Sequence, residues 1–340
     1  MSVTLSICIA TLNRAAFIGA TLESIVSQAT DEVEIVIVDG ASTDNTGEVV
    51  RQYQQRFPRL RYLRLPVKGG VDQDYCKAVD LAQGQYCWLL TDDDLLKPGA
   101  IQTVLEATRH DYGLIIVNAE VRTADLSKIV ETRRLPFNTD RVYKPPDSQR
   151  LFVETAPYLS FIGGVVIKRQ LWEQREKEKY FGTVFVHVGV IFQSPLPADT
   201  LAIAEPWTVI RYGNAQWTAR WFEIWMFKWP NLIWSFSDYP DSAKSQVESR
   251  EPWRRLRVLL LLRAKGVYSM KEYHAWIEPR LNPGWRKFAA RLVVETPGCV
   301  VNSLAILYYS ILKSPLNLFD LRNSRFYYRR SFNRIRGGAT

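Results

Sequence analysis

Tyr86-Cys87-Trp88-Leu89-Leu90-Thr91-Asp92-Asp93-Asp94 sets an unbroken apolar run against three consecutive carboxylates. An apolar, aromatic run of that length reads as a buried strand, so the acids stand just past its C-terminal end. Open α/β sheets hold their ligands at that end. Adjacent like charges repel, and a cation placed among them relieves the repulsion. Hard oxygen donors in that number suit Mg²⁺ or Mn²⁺, with a diphosphate completing the shell. Taken alone, the acids also fit a solvated turn and a helix N-cap, because Leu95-Leu96-Lys97-Pro98-Gly99 leads into a new helix. The flanking sequence favours the site.

Outward from this stretch, residues 4–118 alternate between strand-like and helix-like segments. Strands are expected at Leu5 to Ala10, Glu34 to Asp39, Leu60 to Leu65, Tyr86 to Leu90 and Leu114 to Val117. Helical periodicity is expected over about Ala15–Gln28, Thr46–Phe57, Asp72–Ala82 and Pro98–Arg109, the last with proline in its tolerated first turn. Short-spaced alternation of this kind predicts an α/β fold, a mainly parallel, doubly wound Rossmann-like sheet. From about Arg122 to Gln149 the pattern breaks into a polar, proline-containing stretch that reads as a long loop. Phe161 to Ile167 reads as one further buried strand.

The C-terminal third differs in kind. Trp217, Trp221, Trp225 and Trp229 recur every four residues and draw one aromatic stripe along a helix. Such a stripe packs on the catalytic domain, or it stacks on sugars or sits at a membrane interface. Residues 250–340 carry 18 Lys+Arg against 5 Asp+Glu, a net of +13, whereas the remainder nets −4. Neither Val258–Leu262 nor Cys299–Leu312 is long enough to span a bilayer. The apolar segments, paired tyrosines and arginines of 298–336 fit an interfacial membrane anchor, or else a helical appendage with a frayed basic end. No nucleic-acid motif accompanies the charge, so no nucleic-acid partner is expected. The expected division is therefore 1–215 for the nucleotide-sugar and catalytic domain and 216–340 for a helical, basic, membrane-associating region.

Cys8, Cys76, Cys87 and Cys299 show neither paired nor metal-ligand spacing. A reducing compartment fits them. The N-terminus enters a strand at once, with no room for a signal peptide. The expected location is cytoplasmic, peripheral at the inner face of the cell membrane.

In a doubly wound sheet the strand ends at Thr11-Leu12-Asn13-Arg14, Asp39 and Asp92-Asp93-Asp94 converge on one crevice. An acid after the second strand can accept from a base N–H or a ribose hydroxyl, and a cation at the aspartates can hold a diphosphate. Ala10-Thr11-Leu12-Asn13-Arg14, Val38-Asp39-Gly40-Ala41-Ser42-Thr43-Asp44-Asn45-Thr46, and Gly84-Gln85-Tyr86 running into Thr91-Asp92-Asp93-Asp94 resemble the GT-A domain of family 2 glycosyltransferases. The likeness covers roughly residues 3–215. It implies a nucleotide-diphospho-sugar donor, a divalent metal (Mn²⁺ or Mg²⁺) and an inverting displacement. By position, it implies that Asp39 contacts the nucleobase while Thr11, Asn13 and Arg14 line the nucleotide pocket. It places Asp93 at the metal-ligand position, Asp92 toward the ribose or diphosphate, and Asp94 in support of the metal or donor sugar. Thr91 stands where many members carry another acid.

Two segments depart from the family pattern. Where members often carry Asn-x-Gly before the third helix, this chain reads Lys68-Gly69-Gly70-Val71-Asp72-Gln73-Asp74-Tyr75. There Asp72 and Asp74 are candidates to bond donor hydroxyls, and Asp72 equally fits a helix N-cap. Where members place a Glu-Asp pair bearing the general base, the chain offers His187 within Tyr180–Val190. An imidazole titrates where a base is needed, and base and metal ligand remain alternative roles for it. Arg211 is placed to neutralise a diphosphate leaving group, and Asn214 and Trp217 to hold or stack on a sugar.

These three segments resemble the abequosyltransferase branch, which transfers a 3,6-dideoxyhexose to a lipid-linked O-antigen intermediate. The resemblance implies a CDP-sugar donor and an undecaprenyl-diphosphate-linked acceptor at a membrane surface. An α-linked product from an α-linked donor would mean retention, which an inverting framework does not explain. UDP-, GDP- and dTDP-hexose donors are the alternatives. A nucleotidyltransferase needs a longer Gly-rich loop after the first strand than Thr11–Arg14 provides, and a non-catalytic sugar- or membrane-binding scaffold has no use for intact Asp92, Asp93 and Asp94.

Overall fold

The computed structural model describes residues 3–214 and 220–327. Among them, ten strands form one sheet: β1 (Leu5–Thr11), β2 (Val33–Asp39), β3 (Leu60–Arg64), β4 (Tyr86–Leu90), β5 (Leu95–Leu96), β6 (Leu114–Thr123), β7 (Ile129–Glu131), β8 (Arg141–Tyr143), β9 (Val165–Lys168) and β10 (Thr200–Tyr212). Their order is β3-β2-β1-β4-β9-β6-β10-β5, with β7 paired to β6 and β8 to β10. The pairs β1–β2, β1–β4, β2–β3 and β6–β10 are parallel, and β9 runs antiparallel between β4 and β6. The expected mainly parallel α/β sheet is what the chain forms.

Every residue of β1, β2 and β4 is buried, which is why these strands read as continuous apolar runs. Near their N-terminal ends Ser6 and Glu34 satisfy each other: Ser6 Oγ donates to Glu34 Oε1 at 2.6 Å and accepts the Gly84 N–H at 2.9 Å. Helices α1 (Ile18–Val26), α2 (Thr46–Arg56), α3 (Val71–Leu81) and α4 (Ala100–Thr108) follow β1, β2, β3 and β5. α1 buries Ile18, Thr21, Leu22 and Ile25, the spacing of a helix that covers a sheet with one face.

The polar stretch expected as a loop after Arg122 is partly ordered. β6 continues to Thr123, β7 and β8 add short antiparallel edges, and α5 spans Ser148–Leu159. Such strands exist through pairing with β6 and β10, which local pattern does not encode. The strand expected from Phe161 begins as a 3₁₀ turn at Ile162–Gly164, and only Val165–Lys168 joins the sheet. α6 (Arg169–Glu173) and α7 (Val186–Phe192) lead on to β10.

The chain divides into two compact units, Met1–Asn214 with Trp234–Val247, and Ala215–Ile233 with Glu248–Thr340. The first unit thus ends one residue before the expected boundary and reclaims a later segment. In that segment Phe236 and Tyr239 join Phe152 of α5, with the Tyr239 ring stacked 4.3 Å from it. The second unit is helical. Its core gathers Phe222, Met226, Trp253, Leu259, Leu262, Tyr268, Tyr273 and Ile277. Trp221 and Trp225 of the aromatic stripe pack on this cluster, and Trp217 lies outside the described residues. A π turn at Ile224–Lys228 interrupts the helix that carries them. Among the described residues no single helix is long and apolar enough to cross a membrane.

Candidate active site

β1 has β2 on one side and β4 on the other, so the chain reverses direction along the sheet at this strand. The crevice beyond such a reversal is the ligand position of a doubly wound fold. Thr11 closes β1 in register with Asp39 at the end of β2, and Asp92–Asp94 follow β4 directly. The three predicted strand ends therefore lie side by side.

Arg14, just past β1, ties that strand end to the acids after β4. Its Nε is 3.2 Å from Asp92 Oδ1 and its Nη2 3.0 Å from Asp93 Oδ2, and its Nη1 donates to the Asn214 carbonyl at 3.2 Å. Its backbone N–H donates to Thr46 Oγ1 at 2.8 Å, anchoring the loop on the start of α2. Asp94 accepts the Arg211 backbone N–H at 2.7 Å on Oδ1 and the Thr91 hydroxyl on Oδ2. The Arg211 guanidinium donates to the carbonyls of Asp93 and Ala124, both at 2.9 Å. Arg14 and Arg211 each lie 5.3 Å from the Phe17 ring centroid, so one aromatic ring braces both cations.

All three aspartates are buried. Burial and then the neighbouring Asp93 charge push Asp92 up to about 7, against the pull of Arg14. Burial and Asp93 hold Asp94 well above the usual carboxylate range, and burial raises Asp93 against Arg14. One guanidinium in ion-pair contact leaves this cluster short of positive charge. Among the described residues no three His, Cys, Asp or Glu side chains are grouped so as to hold a metal by themselves. Mg²⁺ and Mn²⁺ take one or two carboxylates and complete their shell with substrate phosphates and water, so the hard oxygens and charge of this cluster fit such an ion.

On the β2 side, Asp39 accepts the Ser42 N–H at 2.7 Å and the Tyr62 hydroxyl at 2.6 Å. Asn13, at a positive φ of 54°, accepts the Thr43 N–H at 2.7 Å and donates its own backbone N–H to Ser42 Oγ at 2.8 Å. It thereby ties the loop after β1 to the loop after β2. Asp74, in the first turn of α3, comes so close to Gly40 that a side chain there would meet Asp74 Oδ2 at 2.8 Å. Its Oδ1 is buried without a hydrogen-bond partner. Burial and then Asp39 push Asp74 up to about 6. The site thus offers an unused carboxylate oxygen beside Asp39.

Asp72 and His187 sit differently from a solvent-facing sugar contact or base. Asp72 accepts the N–H groups of Gly182, Val184 and Val186 at 2.8, 2.9 and 3.0 Å, fixing the segment that enters α7. His187 is buried on α7, with Nε2 2.7 Å from the Leu159 carbonyl. A carbonyl only accepts, so Nε2 carries the proton and the lone pair belongs to Nδ1, which has no partner. Burial pushes the imidazole down to about 4, so the ring is neutral at pH 7. No hydrogen bond joins it to the aspartates, and it completes no three-ligand group with them. Phe17 and Tyr62 were not singled out by sequence; the only signal for Tyr62 is its place on the strand next to Asp39.

Residues 6–169 match the model of glycosyl transferase family 2. The abequosyltransferase RfbV of Salmonella typhimurium is 28% identical over 209 residues, which cover 56% of this chain and 62% of that protein. The GalNAc(5)-diNAcBac-PP-undecaprenol beta-1,3-glucosyltransferase of Campylobacter jejuni is 30% identical over 126 residues, 36% of this chain and 41% of that one. The matches thus span under two thirds of these relatives. Among solved structures, S. aureus TarS 1–349 in complex with UDP superposes with a TM-score of 0.57 at 16% identity, covering 96% of this chain and 92% of that one. The mannosyltransferase PcManGT of Pyrobaculum calidifontis, in complex with GDP-Man and Mn²⁺, gives 0.53 at 16% identity, covering 94% and 86%. The fold is the GT-A fold of these transferases.

Proposed function

We propose that this chain, whose residues 6–169 match the glycosyl transferase family 2 model, moves a sugar from a nucleotide-diphospho-sugar to a lipid-linked oligosaccharide at a membrane surface. The observation that carries the reading is the Arg14 contact with Asp92 and Asp93 at the crevice, where a buried acid cluster is left short of positive charge. Asp93 and Asp94 would hold a divalent cation, Mn²⁺ or Mg²⁺, together with the donor's diphosphate. When bound, that cation supplies positive charge to the leaving nucleoside diphosphate. Arg14 and Arg211, braced on Phe17, add fixed positive charge on the same side. Asp39 is proposed to face the nucleobase, Asp92 the ribose or diphosphate, and Asp74, beside Asp39, a donor hydroxyl. His187 Nδ1 is the proposed proton acceptor for the attacking hydroxyl, and Asn214 and Trp217 are proposed sugar contacts.

The likeness to an abequosyltransferase of Salmonella typhimurium supports a dideoxyhexose such as abequose as the transferred sugar; a CDP donor and a role in O-antigen synthesis are what the sequence resemblance implies. A relative that acts on an undecaprenol-linked glycan supports the lipid-linked acceptor. UDP is the competing nucleotide, because the TarS structure holds it. A thermal-shift panel of CDP, UDP, GDP and dTDP, each with Mn²⁺ and with EDTA, tests the reading. Stabilisation by one nucleotide only with metal supports it, and CDP as that nucleotide favours the dideoxyhexose. No stabilisation by any of the four counts against transfer from a nucleotide-sugar.

A further inference from the structure

Helices Trp285–Glu295 and Gly298–Ile311 meet at a bend of 95°. Each buries one side, through Ala290, Val293 and Val294 on the first and Val301 and Asn302 on the second. Asn302 Nδ2 donates to the carbonyls of Ala264 and Leu321 at 3.0 and 2.9 Å, fixing the rotation of its helix. Trp285, Phe288 and Leu292 are exposed at helical spacings of three and four, as are Val300, Leu304, Leu307 and Ile311. Phe288 is 68% and Ile311 74% accessible. Such spacing makes one apolar stripe per helix, and uncovered stripes of this composition require an apolar neighbour.

Charge identifies the neighbour. Arg286, Arg291, Lys313, Arg322 and Arg325 are exposed on the same stretch of chain, within a segment whose net charge is +13. A second copy of this chain would bring the same sign and repel, whereas an anionic lipid surface complements it. We propose that the exposed faces of these two helices insert into the headgroup boundary of an anionic phospholipid leaflet. Trp285, Phe288, Leu304 and Ile311 enter the apolar side, and the arginines and Lys313 remain among the phosphates. The proposal rests on the membrane part of the functional reading and not on sugar transfer.

The test is co-sedimentation of the full chain with vesicles of phosphatidylcholine alone or mixed with phosphatidylglycerol. Binding is expected to require the anionic lipid, to weaken in high salt, and to fall roughly tenfold or more in Phe288→Glu/Leu304→Glu/Ile311→Glu. These positions are exposed, so the variant's thermal midpoint and nucleotide binding should match wild type. A second measurement uses Cys299, exposed while Cys8, Cys76 and Cys87 are buried. A spin label there is expected at headgroup depth in the wild-type chain. Equal binding to neutral vesicles, undiminished binding of the variant, a label at the bilayer centre, or a wild-type dimer abolished by the substitutions would each overturn the proposal. Vesicle binding without any nucleotide response would leave this surface standing and remove the transfer reading instead.

Discussion

Asp72 Oδ1 accepts the backbone N–H of Val186 at 3.0 Å across 114 positions of chain. The same carboxylate takes the N–H groups of Gly182 and Val184, so one buried acid in α3 sets where α7 begins. Replacing it removes a charged acceptor from three donors at once. Asp72→Ala is expected to lower stability by about 2 to 3 kcal/mol, and Asp72→Asn by less, because one carbonyl oxygen survives. Urea unfolding measures both, and an unchanged midpoint in Asp72→Ala would show that water replaces the carboxylate at no cost.

Arg14 is the ion-pair partner of both Asp92 and Asp93. Arg14→Met keeps much of the side chain's packing on Phe17 but leaves the acids without their guanidinium. Removing one partner of a buried pair costs about 3 kcal/mol or more. The thermal midpoint should therefore fall in EDTA, and Mn²⁺ should restore more of it than it adds to wild type. An equal Mn²⁺ effect in both proteins would mean that the acids do not form the cation site.

How much of this was legible follows from what each feature depends on. β1, β2 and β4 were readable because burial on both faces leaves mostly apolar residues to see. The strand-end acids were readable because parallel strands deliver their C-terminal ends to one side. β7 and β8 were not, since a segment of only three residues becomes a strand only against β6 or β10. The return of Phe236 and Tyr239 to the first unit depends on stacking with Phe152, some eighty residues earlier. Phe17 lies in a short loop with no local mark that two arginines converge on it. Asp72 was read as a sugar contact or a cap for its own helix. The structure shows its carboxylate accepting N–H groups at the start of a distant one.

Asp74 gives a pH signature. Its carboxyl titrates at about 6 in the fold, against 3.8 ordinarily, because of burial and then the Asp39 charge. Between those values the folded chain holds a proton that the unfolded chain has released, so this residue's contribution to stability declines as pH rises through the window. Asp74→Asn removes that decline. In metal-free urea titrations the variant should gain on wild type from pH 4 to about 6 and keep a constant difference above it. A difference that stays flat across the window would show that burial and Asp39 do not raise Asp74 in the fold.

His187 gives the opposite slope. Its folded value of about 4 lies below the ordinary 6.5 because burial penalises the imidazolium. The unfolded chain therefore takes up a proton first as pH falls, and the stability His187 contributes is complete above 6.5 and lost on acidification toward 4. His187→Gln should flatten this acid limb in urea titrations. The catalytic expectation is separate. With Nε2–H engaged by Leu159, only the Nδ1 lone pair can accept a proton from an attacking hydroxyl. Glutamine cannot accept that proton as a base, so transfer should fall by about 10²-fold or more while the nucleotide-induced thermal shift is retained. Transfer at close to the wild-type rate would remove His187 from the chemistry and leave it as the buried polar anchor of α7. Loss of the nucleotide shift together with transfer would instead place its role in assembling the donor site.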